Sequence, residues 1–355
     1  MEMSNKNLFE ALLSVKPVNS EAAKDCTARF DNIAKPVGSL GAFEQLLAQI
    51  AAITGSPEID ISKKAVLVFC ADNGVVRRGV AMHDHDVTTA VAGMLSRGKS
   101  GVSAMAAACG ADVFAFDVGM VDRVEGICNR KLMSGTNDIT EGPAMSRSTA
   151  VEAIETGIDT VKNLAEKGYR LIATGETGIG NTTTSSAVCS ALLGRPAREV
   201  TGRGAGLDDA GLYRKITSIE QAIELNRPDV SDPIDVLSKV GGLDIAALCG
   251  VFLGGALYRI PIVIDGFISG VAALLAVRLC HDVRGYMLPS HESDEPGARL
   301  LNEELGALPV IKAGMRLGEG TGAVMLFPLL DMTLAVYRNT ATYADIQVSR
   351  DGGSA

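Results

Sequence analysis

From Lys64 onward the chain repeats one arrangement of apolar and polar positions. A short run rich in Val, Ile, Leu, Ala or Phe ends in a glycine with an acidic residue within two positions. It reads AVLVFCADNG at 65–74, DVFAFDVGM at 112–120, RLIATGETG at 170–178 and IPIVIDGF at 260–267. Short runs of this kind, without regular alternation, predict strands buried on both faces. Longer alanine-rich segments lie between them: TTAVAGMLSRGKSGVSAMAAACG, AVEAIETGIDTVKNLAEKG, TTTSSAVCSALLG and DIAALCGVFLGGALY. Strand, loop, helix, strand predicts an α/β fold with a doubly wound parallel sheet. A ligand site is then expected beyond the carboxyl ends of the strands, where Asp72, Asp117, Glu176 and Asp265 fall. Residues 1 to about 60 carry helical periodicity in FEALLSV and LGAFEQLLAQIAAI, separated by the turn KPVGSLG, whose Ser39 is placed to cap the second helix. The last fifty residues also read as helical. Residues 60–300 are therefore expected as a large domain, with 1–59 and 301–355 packing as a small helical one.

Composition sharpens this picture. The chain is 47% hydrophobic with no tryptophan, few aromatics and 39 glycines, so its core must be aliphatic, with backbones in close approach. A net charge of −9 argues against nucleic acid, which needs a basic face, but leaves small anions open. Seven cysteines without a CxxC pair read as buried, reduced thiols of a cytoplasmic protein. MEMSNKNLFEALL lacks the basic-then-apolar pattern of a signal segment. The most apolar stretch, 245–280, is interrupted by Arg259, Pro261 and Asp265, which argues against a membrane span. Only the GGSA tail reads as a flexible linker.

Several segments can carry chemistry. In GETGIGNTT, at 175–183, glycines precede a predicted helix, so backbone amides and the helix dipole can cradle an anion. The spacing equally fits a structural strand-to-helix turn with Thr182 as N-cap, and it matches neither GxxxxGK[ST] nor GxGxxG. In TGRGAGLDD and beyond, Arg203 and Lys215 are placed either to neutralise a phosphate or simply as surface charges. His83 and His85 in MHDHDVT form a His-x-His pair without further ligands nearby, which favours a polar loop over a metal site. His291 in PSHESDE stays open in the same way. No G-x-S-x-G elbow is present, so hydrolase chemistry has little support. MRLGEGTGA sets Glu319 between two glycines with no second acid or base in the segment.

In their order, KPVGSLG, CADNGVVRRGVA, FDVGM, GTNDITEGPAM, GETGIGNTT, GRGAGLDD, GGLDIAALCG, VIDGF, SHESDE and MRLGEGTGA resemble the nicotinate-nucleotide–dimethylbenzimidazole phosphoribosyltransferase family, from Lys35 to Asp345. The resemblance implies a Rossmann-like sheet, a small domain of terminal helices and a dimer as the active unit. It implies transfer of the phosphoribosyl group of nicotinate mononucleotide to an aromatic base, with inversion, in assembly of the lower nucleotide loop of cobalamin. Neither cofactor nor metal is implied. The departing nicotinate carries a positive ring nitrogen, so its departure needs no acid. The acceptor must lose a proton, which one partly desolvated carboxylate can take.

Glu319 matches the family's catalytic glutamate, its glycine neighbours leaving room for the substrate, and Glu176 matches a second glutamate beside it. Gly178, Gly180, Asn181, Thr182, Arg203, Gly204 and Lys215 match segments that surround the 5′-phosphate. Asp265, Ser293, Arg316, Leu317, Gly318, Gly320 and Thr321 match those near ribose and nicotinate. The departures concern the acceptor. Asp72-Asn73-Gly74 stands where the family reads Asp-His-Gly. Ala81 stands where it reads serine, Thr88 and Thr89 lie where it has a glutamine, and RGKSGVSAM replaces its glycine-and-alanine pattern. A pocket without hydroxyl and amide partners selects less strongly for a ring that hydrogen-bonds through nitrogen. The resemblance thus allows dimethylbenzimidazole, another benzimidazole or purine, or a phenol. Phenol-using relatives pair two homologous chains, so a homodimer, a heterodimer, and a chain that mainly stabilises a catalytic partner are all allowed.

Overall fold

A computed structural model describes residues 8–348; MEMSNKN and the GGSA tail lie outside the described residues. Helices α1 (8–12), α2 (Ser20–Asn32) and α3 (Ala42–Thr54) precede strand β1 (Lys64–Ala71). Helices α4 (Asp86–Ser96) and α5 (Gly101–Ala108) lead to β2 (Ala111–Gly119) and β3 (Cys128–Asn129). Helix α6 (Arg147–Glu166) precedes β4 (Leu171–Thr177). Five helices follow: α7 (Asn181–Leu193), α8 (Ala197–Val200), α9 (Asp209–Asn226), α10 (Pro233–Val240) and α11 (Leu243–Tyr258). Then come β5 (Ile262–Ile264), α12 (Phe267–Leu279), β6 (Met287–Pro289), β7 (His291–Ser293), α13 (Gly297–Leu305), β8 (Ile311–Met315) and α14 (Thr321–Asn339).

Six strands form one sheet in the order β3-β2-β1-β4-β5-β6, and every neighbouring pair is parallel. The fold is therefore the expected doubly wound α/β architecture. The order reverses between β1 and β4, where a crevice opens at the carboxyl edge. Every residue of β1 is buried, as a central strand covered on both faces requires.

Glycine sets how closely the covering helices approach. A Cβ on Gly157 of α6 would lie 2.0 Å from the Ala247 carbonyl oxygen of α11, and one on Gly250 would lie 1.9 Å from that of Ile154. The two backbones touch, and no side chain fits between them. The terminal helices also meet. Phe30 of α2 and Tyr337 of α14 have ring centroids 4.8 Å apart, and Ile33 bridges Thr342. Gln49 of α3 donates to the carbonyls of Gly285 at 3.0 Å and Met287 at 2.8 Å, tying these helices to the β6 edge.

Four expectations change. Helix α3 starts after Gly41 rather than at a Ser39 cap, because successive turns run through 36–41 and Glu44 Oε1 accepts from Leu40 N instead, at 2.9 Å. The alanine-rich segment 88–110 is broken in two by Gly98, at φ +65°, and Ser100 caps α5 by accepting from Ser103 N at 3.2 Å. The C-terminal fifty residues are not all helical, since β8 pairs in parallel with β7 as a small second sheet. Of the cysteines, 26, 70, 189 and 249 are buried, whereas Cys128 is exposed on the edge strand.

Gly157→Ala should therefore overpack the α6–α11 contact and lower unfolding free energy by about 1–3 kcal/mol, despite alanine's better helix propensity. Gly142→Ala, at a site with nothing within 4 Å of the new Cβ, is the matched control. Equal urea midpoints for both variants would refute the close-approach account.

Candidate active site

A cavity of about 310 Å³ opens beyond the carboxyl ends of β4 and β5. Glu176 and the turn Gly178–Gly180 form one side, followed by Asn181 and Thr182 on the first turn of α7. Asp265 follows β5, and Ser293 ends β7. Arg316, Leu317, Gly318 and Glu319 contribute from the loop before α14, and Arg203 and Gly204 from the loop before α9. Apolar side chains of Val80, Met82, Val87 and Val91, with Ala81, line a further part. Of the four acids at strand ends, Glu176 and Asp265 line the cavity. Asp72 and Asp117 are structural instead: Asp72 Oδ2 accepts from Val121 N at 2.7 Å, and Asp117 Oδ1 accepts from Met120 N at 2.9 Å.

Glu319 is held in an unusual way. Gly318, Glu319 and Gly320 all have left-handed backbone, with φ of +82°, +61° and +92°. Glutamate in that region is strained by about 1–2 kcal/mol. Asp265 holds the segment, its Oδ2 accepting from Gly320 N at 3.2 Å and its Oδ1 from Ala323 N at 2.9 Å. Thr174 and Ser269 in turn fix the Asp265 backbone, their hydroxyls accepting from its N–H at 3.3 and 3.2 Å. The glycines serve approach to the sheet. A Cβ at Gly320 would lie 2.9 Å from Thr174 O, one at Gly318 2.8 Å from Glu176 Oε1, and one at Gly175 2.4 Å from Glu319 O. The half-buried Glu319 carboxylate accepts through Oε2 from Val102 N, in the first turn of α5, at 3.3 Å. The departing segment RGKSGVSAM thus supplies the N–H that holds this carboxylate. Gly320 and Thr321 start α14 behind the cavity wall, the Thr321 hydroxyl donating to Gly318 O at 2.8 Å.

Glu176 sits in a crowd of acids. The Asn181 amide nitrogen donates both to Glu176 Oε2 and, at 3.0 Å, to Asp244 Oδ2. Burial pushes the Glu176 carboxyl up to about 8, with Asp244, Asp265 and Glu319 adding to the effect and the Asn181 bond opposing it. Burial likewise raises Asp244 to about 6, against the Asn181 bond and the Ile245 amide. Below about pH 8 Glu176 therefore keeps a proton. Asp244 lies behind the cavity wall, joined to it through Asn181, and sequence reasoning misses it: an aspartate inside the apolar helix LDIAALCGVFL is its only signal. Asn73 was likewise assigned no role beyond its departure from the family pattern. It is buried, and its amide donates to Ile179 O at 3.2 Å beneath the glycine turn.

The glycine turn is not capped by Thr182. Gly180, left-handed at φ +85°, takes the N-cap position, and the Thr182 hydroxyl accepts from Lys215 Nζ at 2.8 Å. Lys215, fully buried on α9, also donates to Gly202 O at 3.1 Å, so its ammonium lies beneath the Thr182–Gly204 rim rather than on the surface. Burial lowers it to about 8, with the charge of Glu295 pulling upward. Arg203 donates to Leu207 O at 2.8 Å and pairs with Asp209 at the mouth. A buried ammonium, a guanidinium and the glycine-led N-terminus of α7 thus converge on this rim, groups of a kind that can hold an anion.

The acceptor residues divide. Ala81 and Thr88 line the cavity, although the Thr88 hydroxyl already accepts from Ile179 N at 3.0 Å. Thr89 does not belong there: its hydroxyl reaches His85 O and Asp122 Oδ2, each at 3.4 Å, because helix α4 turns it outward. His85 pairs with Asp84 at 3.1 Å on the exposed loop, and His83 is exposed beside it. His291 is buried, 3.2 Å from Ser290 Oγ, and lines the cavity. No group of three potential metal ligands occurs among the described residues, and no helix there is long and apolar enough to cross a membrane.

A doubly wound sheet with two glutamates, an anion cradle and an apolar wall at its carboxyl edge defines an α/β enzyme acting on a phosphorylated small molecule. The DBI_PRT phosphoribosyltransferase family matches residues 15–348. Nicotinate-nucleotide–dimethylbenzimidazole phosphoribosyltransferase of Ruminiclostridium cellulolyticum is 47% identical over 96% of this chain and 97% of its own length. That of Acetivibrio thermocellus is 48% identical over 95% and 97%. The crystal structure of CobT from Thermus thermophilus matches with TM-score 0.88 at 35% identity, covering 93% of this chain and 99% of that one. The chain belongs to the nicotinate-nucleotide–dimethylbenzimidazole phosphoribosyltransferase family, and is a pentosyltransferase of cobalamin lower-ligand synthesis.

Glu176 makes a pH-dependent contribution to stability. The unfolded chain releases this proton near 4.5, the native chain near 8, so native protein binds the extra proton between those values. Stability should therefore fall as pH rises through that window. Glu176→Gln cannot titrate and keeps an oxygen for Asn181, so its stability relative to wild type should climb from about pH 5 to about pH 8 in urea melts. A constant difference across that range would sink this assignment.

Proposed function

We propose that the cavity transfers the 5-phosphoribosyl group of nicotinate mononucleotide to a flat aromatic acceptor, giving an α-ribotide and nicotinate. The observation that carries this reading is a single cavity lined by an anion cradle, an apolar wall and the half-buried Glu319. In the reaction, an acceptor nitrogen or oxygen attacks C1′ from the face opposite the departing ring. The C1′–N bond breaks, its electrons neutralise the nicotinate ring nitrogen, and the acceptor's proton passes to Glu319. Lys215, Thr182, Gly204 and Arg203 are read as the phosphate partners, and Asp265, Ser293 and Arg316 as lying toward ribose and nicotinate. Glu176, protonated below about pH 8, supports Glu319 by not repelling it.

The relatives are named for dimethylbenzimidazole, and a ring of that size and polarity fits the reading. Ala81 and the occupied Thr88 hydroxyl favour recognition by apolar packing, so other benzimidazoles and phenols should also be accepted. Incubating the purified chain with nicotinate mononucleotide and benzimidazoles, adenine, phenol or p-cresol, with nicotinate release followed, tests this. Glu319→Gln should cut turnover on neutral benzimidazoles by about 10²–10⁴-fold with little change in nucleotide affinity. The loss should shrink for phenols of low pKa, which arrive already ionised. Near-normal turnover on neutral acceptors would make Glu319 structural, and no nicotinate release by wild type alone would favour a chain that serves a catalytic partner.

A second subunit fits one face of α14. Met325, Pro328, Met332 and Ala335 are exposed on it at spacings of three and four residues, forming an apolar stripe. We read it as the contact with an identical or homologous chain. Sedimentation of the purified chain should give twice its 37.0 kDa mass, and Met332→Glu should halve that value. A wild-type monomer would exclude the homodimer, and a variant still dimeric would exclude this face.

A further inference from the structure

Glu295 is a carboxylate that the chemistry above does not use, yet it lines the same cavity beside Arg203 and Gly204. Its Oε2 is buried and has no hydrogen-bond partner among the described residues. The carboxylate packs against the backbone of Gly202, where an added Cβ would come within 2.0 Å of Oε2. The carbonyl of that same glycine accepts from Lys215 Nζ at 3.1 Å. Burial pushes the Glu295 carboxyl above the usual carboxylate range and Asp294 adds to this, while the charge of Lys215, the Gly204 N–H and Arg316 oppose it. A carboxyl group thus lies among the groups that a phosphate would use, with one oxygen incompletely satisfied. A buried acceptor in that condition is costly to keep, so it is easily displaced.

We propose that Glu295 is the internal occupant of the anion cradle, displaced by the incoming 5′-phosphate. In the empty enzyme it supplies a negative charge near the buried Lys215 ammonium, whose hydrogen-bond partners among the described residues are the uncharged Thr182 hydroxyl and Gly202 carbonyl. When phosphate enters, the two anions cannot share the cradle, and the Glu295 side chain turns away toward solvent and Arg316. The Arg316 side chain is two-thirds exposed on the cavity wall, already paired with Asp294 at 3.3 Å. Glu295 therefore sets affinity for the phosphorylated end of the substrate, weakening retention of mononucleotide and product alike. The proposal rests on reading the cavity as a mononucleotide site.

Binding measured by calorimetry on the full chain tests it. Glu295→Gln should tighten nicotinate mononucleotide and ribose 5-phosphate by roughly tenfold while leaving nicotinate riboside, which lacks the phosphate, unchanged. Unchanged or weakened phosphate binding in the folded variant, or an equal gain for the riboside, would overturn the proposal. Glu295→Ala removes the same charge and gives the same reading if the glutamine variant does not fold. A crystal of the wild-type chain with ribose 5-phosphate needs no substitution: Glu295 should have left Gly202, and finding it still packed there beside bound phosphate would refute displacement. If wild type binds ribose 5-phosphate but not nicotinate mononucleotide, the functional reading fails while Glu295 is still judged by the sugar phosphate.

Discussion

The clasp of Asp265 on the N-terminus of α14 is the interaction on which the site depends. One carboxylate at the end of β5 accepts from two amides, of Gly320 and Ala323, and so joins the sheet to the last helix. Charge-assisted bonds of this kind contribute about 1.5–3 kcal/mol each, more than the roughly 1–2 kcal/mol cost of placing glutamate in left-handed backbone. The strained segment is therefore held rather than merely tolerated. Because Asp265 is itself tied to Thr174 on β4 and Ser269 on α12, the position of Glu319 is set by the sheet. The surface loop only carries it.

Such a site gathers negative charge, and the structure disperses it by three means. Helix N-termini take two carboxylates, Asp265 at α14 and Glu319 at α5. One amide side chain, Asn181, bridges two more, Glu176 and Asp244. A retained proton on Glu176 removes the remaining repulsion. A side effect falls on Cys70, whose thiol is pushed far up by burial first and then by Asp117, Glu176, Asp244 and Asp72. It sits beside the acids without becoming a nucleophile.

The sheet was legible because its central strands are short apolar runs with no polar alternation, a pattern that parallel packing imposes on sequence. The short strands β3, β6, β7 and β8 carried too few residues for any period to show. The site was legible in order along the chain rather than in spacing: GETGIGNTT and MRLGEGTGA lie far apart, yet Gly175 and Glu319 touch. Asp244, Asn73 and Glu295 stayed hidden because burial and partners define their roles, and neither is encoded locally. Thr89 illustrates the converse. Adjacent to Thr88 on α4, it was read into the pocket with it, but one helical step of about 100° separates cavity from solvent.

Glu319 stands where its own backbone would prefer glycine. A copy of this chain released from the need to turn over substrate would gain stability by losing the carboxylate, since Gly-Gly-Gly at 318–320 fits the left-handed turn without strain. Mutational drift in such a copy runs downhill toward erasing the residue. Its place between two glycines thus sets a cost in folding against whatever the carboxylate does at the cavity.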